Sequence, residues 1–145
     1  MVETNGRNFD LLTLGQVLLR LSPPDNERLS RGDTFVKQVG GAELNVAVGA
    51  ALLGLHTGVI SKLPAHDIGS FMKGKIRSFG VSDDFFMYDQ SSAARVGIYY
   101  YENGAYPRKP KVIYDRNHSS FFSLDIDEIP EEVYTASKCF HTTGI

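Results

Sequence analysis

The chain has 145 residues, of which 42% are hydrophobic and 22% charged, and its formal net charge is −2 at pH 7. This composition is typical of a folded globular domain and excludes a disordered, collagen-like or disulfide-stapled chain. The near-balanced charge predicts neither nucleic acid nor a membrane surface as a partner. Because the single cysteine, Cys139, cannot form an internal disulfide, and because residues 46–55 are too short to span a bilayer, we expect a cytoplasmic location.

The first 40 residues predict three short strands. An apolar run at residues 10–14 ends at Gly15, and a second β-rich run follows at residues 17–21. Two prolines and short polar side chains at residues 22–26 favour a turn. Residues 34–39 predict a third strand, which ends in two glycines.

Two helices alternate with the next strand. From Ala42 to Leu55 the apolar period is 3.6, with Gly54 as the stop, and apolar residues on the other side predict burial of most of this helix's circumference. Residues 57–60 predict a strand, and residues 68–79 a one-sided helix that ends before a glycine. The alternation favours an α/β fold built on a parallel sheet.

The second half of the chain departs from this alternation. Residues 95–101 and 111–114 are β-rich runs around a polar turn, and they predict an antiparallel hairpin that serves as a flap. We expect Arg108 to be a solvated charge of that turn. Pro130 predicts the start of a short helix over residues 131–137, and residues 138–141 predict a last strand.

Two motifs are weak indications of a site. Residues 69–75 have the spacing of a phosphate-binding P-loop, but Ile76 follows where a serine or threonine is needed and the run lies in a helical pattern. Cys139 and His141 form one pair of metal-ligand types with no second pair nearby in the sequence. We therefore predict neither a P-loop nor a zinc site.

The run GGAELN at residues 40–45 is a stronger candidate. Two glycines join a strand to a helix N-terminus, where backbone N–H groups are free and the helix dipole is positive. Glycine permits close approach of a ligand to the backbone at Gly41 and Ala42, and Asn45 lies one turn into the helix with its amide. The alternative is a tight turn that only requires positive φ.

Arg116 and Tyr99 complete the candidate site. Arg116 follows the predicted strand at residues 111–114, at the mouth of the hairpin. If the hairpin folds over the two glycines, its planar guanidinium suits a carboxylate, and Tyr99 on the partner strand adds a hydroxyl and a ring face. The alternative for Arg116 is an exposed, solvated charge.

Together these segments resemble the amino-terminal half of the PfkB, or ribokinase-like, family of sugar kinases, in its 2-keto-3-deoxygluconate branch. The resemblance rests on five runs, namely DLLTLG at residues 10–15, VGGAELNVA at 39–47, GIY at 97–99, VIYDR at 112–116 and HTTGI at 141–145. It implies that residues 1–145 are the amino-terminal part of one ribokinase-like domain. Such a domain has a mostly parallel sheet flanked by helices, with a small β lid at about residues 16–39 and 94–115.

The resemblance also implies the site. The backbone at Gly41 and Ala42, with Asn45, is expected to meet sugar hydroxyls, Tyr99 to pack and hydrogen-bond from the lid, and Arg116 to hold the substrate's carboxylate. ATP and Mg²⁺ are implied, but with sites outside this chain. The family's Gly-Ala-Gly-Asp segment, with its catalytic base, does not occur in the sequence, so the chain alone is expected to be inactive.

Departures from the family's pattern leave alternatives. Gln16 stands where the family often has an acid, and residues 62–64 and 115–117 differ from the usual runs. One alternative is a ribokinase- or fructokinase-like enzyme for a neutral sugar. Another is a non-catalytic module that dimerises through the apolar run at residues 96–101; a homodimer through the lid is also expected of the kinase.

Overall fold

A computed structural model of the chain describes residues 8–144, so residues 1–7 and Ile145, the last residue of the run at 141–145, lie outside the described residues. These residues form nine strands and two α-helices. The strands in chain order are β1 Phe9–Leu14, β2 Leu18–Ser22, β3 Val36–Gly40, β4 Thr57–Pro64, β5 Val81–Ser82, β6 Phe86–Asp89, β7 Gly97–Glu102, β8 Lys111–Asp115 and β9 Ser137–His141. The helices are α1 Ala42–Leu52 and α2 Asp67–Ser78.

The strands form two sheets. The first has the order β5-β4-β1-β9 and is parallel throughout, and β6 also pairs in parallel with β4. The second has the order β3-β2-β7-β8, in which β2 is antiparallel to β3 but parallel to β7. The predicted parallel α/β sheet is confirmed, as is the antiparallel hairpin of β7 and β8.

Helix α1 differs from the prediction in length and in burial. It ends at Leu52, where Gly54 (φ +88°) and the Leu55 N–H bond back to the carbonyls of the last turn, so the predicted glycine stop is confirmed. The expectation that most of the circumference is buried was wrong. Leu53 just beyond the helix is 84% exposed and Val46 is 41% exposed, because the described residues cover only the side that faces β1 and β4.

Helix α2 confirms the predicted one-sided helix. Its buried side carries Met72 and Ile76, and Gly80 (φ +78°) follows its end. The run with P-loop spacing lies within this helix. A Cβ at Gly69 would lie 2.0 Å from the Pro64 carbonyl oxygen, so this glycine serves the packing of α2 against β4.

Two expectations for the second half were wrong. The segment after Pro130 is a 3₁₀ turn, Glu131–Tyr134, which is shorter than the predicted helix because β9 begins pairing at Ser137. Arg108 is also not a solvated charge. Its side chain is 24% exposed, it forms an ion pair with the buried Glu102 at 3.3 Å, and it donates to the carbonyl of Asn26, so it ties the loop before β3 to the hairpin.

Apolar residues are buried on both faces of the parallel sheet. The larger cluster includes Leu44, Val59 and Met72 beneath α1 and α2, and a smaller one includes Leu12 and Val133. No helix within residues 8–144 is long and apolar enough to cross a membrane.

Candidate functional site

A cleft of about 550 Å³ lies where the two sheets meet. Leu14 and Gln16 at the carboxyl end of β1 form part of its wall, and Thr142 and Thr143 after the neighbouring β9 form another part. The start of α1 and one face of the second sheet complete the lining. Ligands of open parallel sheets bind outside the carboxyl ends of the strands, which is the position of this cleft.

One face of the second sheet is turned toward the cleft. Arg20 on β2 is in register with Tyr99 on β7, which is in register with Tyr114 on β8. Side chains two residues apart share a face, so Tyr101 belongs to this row too, and all four residues line the cleft. The sheet therefore presents aromatic rings and a guanidinium to a ligand.

The start of α1 forms the opposite wall with backbone atoms. Gly41 has φ +134°, and a Cβ there would lie 2.6 Å from the carbonyl oxygen of Gln16. Only glycine fits this position, because the turn needs a positive φ and because the Gln16 carbonyl oxygen leaves no room for a Cβ. No side chain caps the helix, which leaves the N–H groups after Gly41 available at the positive end of the helix dipole, with Asn45 one turn further on.

Within residues 8–144, Glu43 is the one acidic residue that lines the cleft. It is 8% exposed, and its Oε1 accepts hydrogen bonds from the backbone N–H (3.1 Å) and the hydroxyl (2.5 Å) of Thr143. Gly15 leaves the space for this carboxylate, since a Cβ there would lie 2.3 Å from it. Glu43 thus ties α1 to the segment after β9.

Gln16 connects the end of β1 to the segment that carries Arg116. Its Nε2 donates to the Ser119 hydroxyl at 2.5 Å and, more weakly, to the Arg116 carbonyl at 3.4 Å. Its Oε1 is buried with no hydrogen-bond partner within residues 8–144. The amide positions Arg116 and leaves one acceptor in the wall of the cleft unused.

Tyr99 keeps its proton at neutral pH. Burial raises the pKa of its hydroxyl above the ordinary value of 10, and the opposing effect of the Arg20 charge is smaller. The ring lies beside Tyr114, with centroids 6.0 Å apart. The hydroxyl is therefore a hydrogen-bond donor as well as an acceptor for a ligand.

The structure brings the five predicted site residues into this one cleft. Gly41, Ala42, Asn45, Tyr99 and Arg116 all line it, and their role in binding stays a prediction. Four further residues of the lining were not predicted from the sequence as site residues, namely Arg20, Glu43, Tyr101 and Tyr114. Alternation along the strands points to Tyr101 and Tyr114 once Tyr99 is chosen, but Arg20 requires the β2–β7 pairing, for which the sequence carries no local signal.

Comparison with known protein families gives a match to the model described as pfkB family carbohydrate kinase, over residues 8–145. The 2-dehydro-3-deoxygalactonokinase of Haloferax volcanii is 36% identical over 136 residues, which are 94% of this chain and 42% of that protein. The 5-dehydro-2-deoxygluconokinase 1 of Bacillus cereus is 29% identical over 145 residues, which are 99% of this chain and 43% of that protein.

A solved structure of a kinase is also similar to this chain. The crystal structure of 2-dehydro-3-deoxygluconokinase from Thermotoga maritima superposes with a TM-score of 0.86 at 37% identity, covering 92% of this chain and 40% of that one. The chain thus spans about two fifths of the length of these relatives.

Proposed function

The chain belongs to the pfkB family of carbohydrate kinases, and we propose that it is the sugar-binding part of an ATP-dependent kinase for 2-keto-3-deoxygluconate or a similar sugar acid. The supporting observation is that Arg116 lines the same cleft as the uncapped N-terminus of α1. Within residues 8–144 no carboxylate lies within 4 Å of this half-buried guanidinium. The three similar kinases above are all named for keto-deoxy sugars or sugar acids, which agrees with an acidic substrate.

In this proposal each wall of the cleft binds a different part of the substrate. Arg116 binds the carboxylate through its planar pair of N–H donors. The backbone N–H groups at Gly41 and Ala42, with the amide of Asn45, bind the hydroxyls. Tyr99 packs a ring against the sugar and donates from its protonated hydroxyl. The cleft's contribution to phosphoryl transfer is then positioning of the attacking hydroxyl.

The family resemblance implies ATP as the phosphoryl donor and Mg²⁺ as the metal. Within residues 8–144 no group of three His, Cys, Asp or Glu side chains is placed to hold a metal ion. These residues do not fit a magnesium site, and we assign no catalytic step to them through ATP or Mg²⁺. We also place no catalytic base among them, and a cytoplasmic location remains part of the proposal.

The test compares substrates. The complete product of the gene that encodes this chain should phosphorylate 2-keto-3-deoxygluconate with a higher kcat/KM than ribose or fructose, as measured by coupled ADP release. Preference for a neutral sugar would replace the proposal by the ribokinase- or fructokinase-like alternative. Residues 1–145 assayed in the same way should release no ADP above background, and turnover by them would contradict the absence of a base.

We further propose that the second sheet mediates a homodimer. Val36, Val112 and Tyr114 are exposed on the face that lines the cleft, and Ile113 is exposed on the other face of the edge strand β8. An edge strand with exposed apolar side chains can pair with a second copy of the chain. Sedimentation of the complete protein should give a dimer, and Ile113→Asp should shift it to the monomer. A monomeric wild-type protein would contradict this assembly without affecting the substrate assignment.

A further inference from the structure

The arginines of residues 8–144 fall into three groups. Three form ion pairs, namely Arg77 with Asp83, Arg95 with Asp115 and Arg108 with Glu102. Arg28 and Arg31 are exposed to solvent. The remaining two, Arg20 and Arg116, are half-buried, have no carboxylate within 4 Å among the described residues, and both line the cleft.

Arg20 is held in place by neutral neighbours. Its Nε donates to the Ser22 hydroxyl at 2.9 Å, and its guanidinium carbon lies 4.3 Å from the centre of the Tyr101 ring. These contacts fix the orientation of the group but leave its charge uncompensated. A half-buried cation without a counter-ion loses part of its solvation, and an anionic ligand in the cleft would offset that loss.

The sheet register places both guanidinium groups on one face. Arg20, Tyr99 and Tyr114 stand side by side on β2, β7 and β8, and Arg116 is two residues beyond Tyr114. With neighbouring strands about 4.8 Å apart and a rise of about 3.3 Å per residue, the Cα atoms of Arg20 and Arg116 are roughly 12 Å apart. Two arginine side chains can together span that distance. In this structure the Arg20 guanidinium lies over Tyr101, and Tyr99 lies on the strand between β2 and β8.

The acidic side chain of the cleft lies on the wall opposite the two arginines. Glu43, at the start of α1, is the acidic residue of the lining, and it lies beside Thr143. The charged side chains of the cleft are thus cationic on the second sheet and acidic on the α1 side, where the helix start also has free backbone N–H groups. A carboxylate is attracted to the sheet, and hydroxyl groups, which donate to a carboxylate oxygen, are favoured near α1.

We propose that Arg20 is a second carboxylate-binding residue, so that it and Arg116 hold the acid group of the substrate from two sides above Tyr99. This inference rests on the proposed function and adds a specificity-determining residue to it. It also orients the substrate, with the carboxylate toward the second sheet and the hydroxyl end toward α1.

The test uses the complete kinase with Arg20→Gln, Arg116→Gln and the double variant. Arg20→Gln should lower kcat/KM for 2-keto-3-deoxygluconate by about tenfold or more relative to its effect on kcat/KM for a neutral sugar, because only the acid loses a charge-assisted contact. Arg20→Lys should retain part of the acid preference, since it keeps the charge but loses the planar fork. Arg28→Gln, an exposed arginine outside the cleft, is the matched control and should change neither value.

Three results would overturn the inference. Equal losses of kcat/KM for acid and neutral sugars, or a lower melting temperature with unchanged acid preference, would make Arg20 structural. Two residues that bind the same carboxylate should be coupled, so that the free-energy effects of their substitutions do not add. If the effects of Arg20→Gln and Arg116→Gln do add, the two residues contact separate parts of the substrate. Failure of the wild-type kinase to use any sugar acid would overturn the proposed function itself, and this is distinguishable because it needs no variant.

Discussion

Two glycines keep space for the side chains that the cleft requires. A Cβ at Gly40 would lie 2.4 Å from the Tyr99 hydroxyl oxygen, and a Cβ at Gly97 would lie 2.6 Å from Nε2 of Gln16. Both contacts are closer than carbon and a polar atom can approach without displacement. These glycines therefore act through neighbouring side chains, whereas Gly41 acts through its own backbone conformation.

Gly40→Ala should weaken sugar-acid binding about tenfold to a hundredfold, because the Tyr99 ring must shift by roughly 1 Å and positioning in an active site is sensitive at that scale. Calorimetric titration of the complete kinase with 2-keto-3-deoxygluconate measures this affinity. Gly49→Ala is the matched control, since nothing lies within 4 Å of a Cβ there. It should leave the affinity unchanged and raise the free energy of unfolding by about 0.5–1 kcal/mol, the helix preference of alanine over glycine.

Arg116→Ala should raise KM for the sugar acid by a factor of roughly 10 to 150, which corresponds to one charge-assisted contact of about 1.5–3 kcal/mol. Stability should change little, because the bond from Gln16 reaches the Arg116 main-chain carbonyl, which alanine retains. Steady-state kinetics and thermal melting of the same preparations measure both quantities. An unchanged KM with a lower melting temperature would show that Arg116 is a structural residue.

At the scale of elements, the segment that follows β8 is fastened to three strands. Ser119 accepts from Gln16 after β1, the Ser120 hydroxyl donates to Asp89 at the end of β6 at 2.8 Å, and Lys62 of β4 forms an ion pair with Glu128 at 2.7 Å. These contacts hold the segment against the parallel sheet, and with it Arg116. The orientation of Arg116 is thus a property of four elements together.

The Asp89 anchor predicts a dependence of stability on pH. The backbone N–H of Ser91 and then the hydroxyl of Ser120 lower the pKa of the Asp89 carboxyl below its ordinary value of 3.8. A lowered folded-state pKa stabilises the fold above the unfolded value, and this contribution is lost as pH falls through the folded value. The free energy of unfolding should therefore fall below about pH 4.

Asp89→Asn tests that dependence, because asparagine keeps the shape and cannot titrate. Its free energy of unfolding should be lower than that of the wild type at pH 7, and the difference should shrink toward pH 3. Urea unfolding at several pH values measures this. Asp127→Asn, at an exposed 3₁₀ turn, serves as the comparison and should follow the wild type. A constant difference between Asp89→Asn and wild type across the range would exclude the charge as the cause.

At the scale of the whole molecule, apolar side chains at the end of α1 and on β9 are left uncovered by the described residues. Leu52 and Leu53 are 75% and 84% exposed, and Phe140 is 46% exposed on β9, an edge strand of the first sheet. Burial of a large apolar side chain contributes about 1.5–3 kcal/mol, and total stability is typically about 5–15 kcal/mol. Three such exposures are a large fraction of the stability of the fold.

Residues 1–145 on their own should therefore be marginally stable and self-associate, as measured by thermal unfolding and sedimentation velocity. Leu53→Lys combined with Phe140→Lys should reduce self-association, since charges disfavour edge pairing and apolar contact. Ile126→Lys, at another exposed apolar position, should reduce it less. A cooperative, monomeric transition above about 50 °C, in the usual range of mesophilic domains, would contradict this prediction.

The amino-acid sequence by itself determined the local elements and part of the site. The change of apolar period at Ala42 and the stop at Gly54 located α1, because helix periodicity and glycine conformation act over a few neighbouring residues. The same local reasoning placed the glycine turn between β3 and α1, and the charge of Arg116 beside a strand end suggested an anion-binding residue.

Only the tertiary structure decided which distant segments meet. The parallel pairing of β2 with β7 brings Arg20 beside Tyr99. Arg108 is half-buried because Glu102 of β7 pairs with it and the Asn26 carbonyl of the loop before β3 accepts from it. The tertiary structure also decided which side of α1 is covered by the strands of the parallel sheet. Strand pairing and burial depend on contacts between residues far apart in the chain, and no local pattern of the sequence encodes the partner.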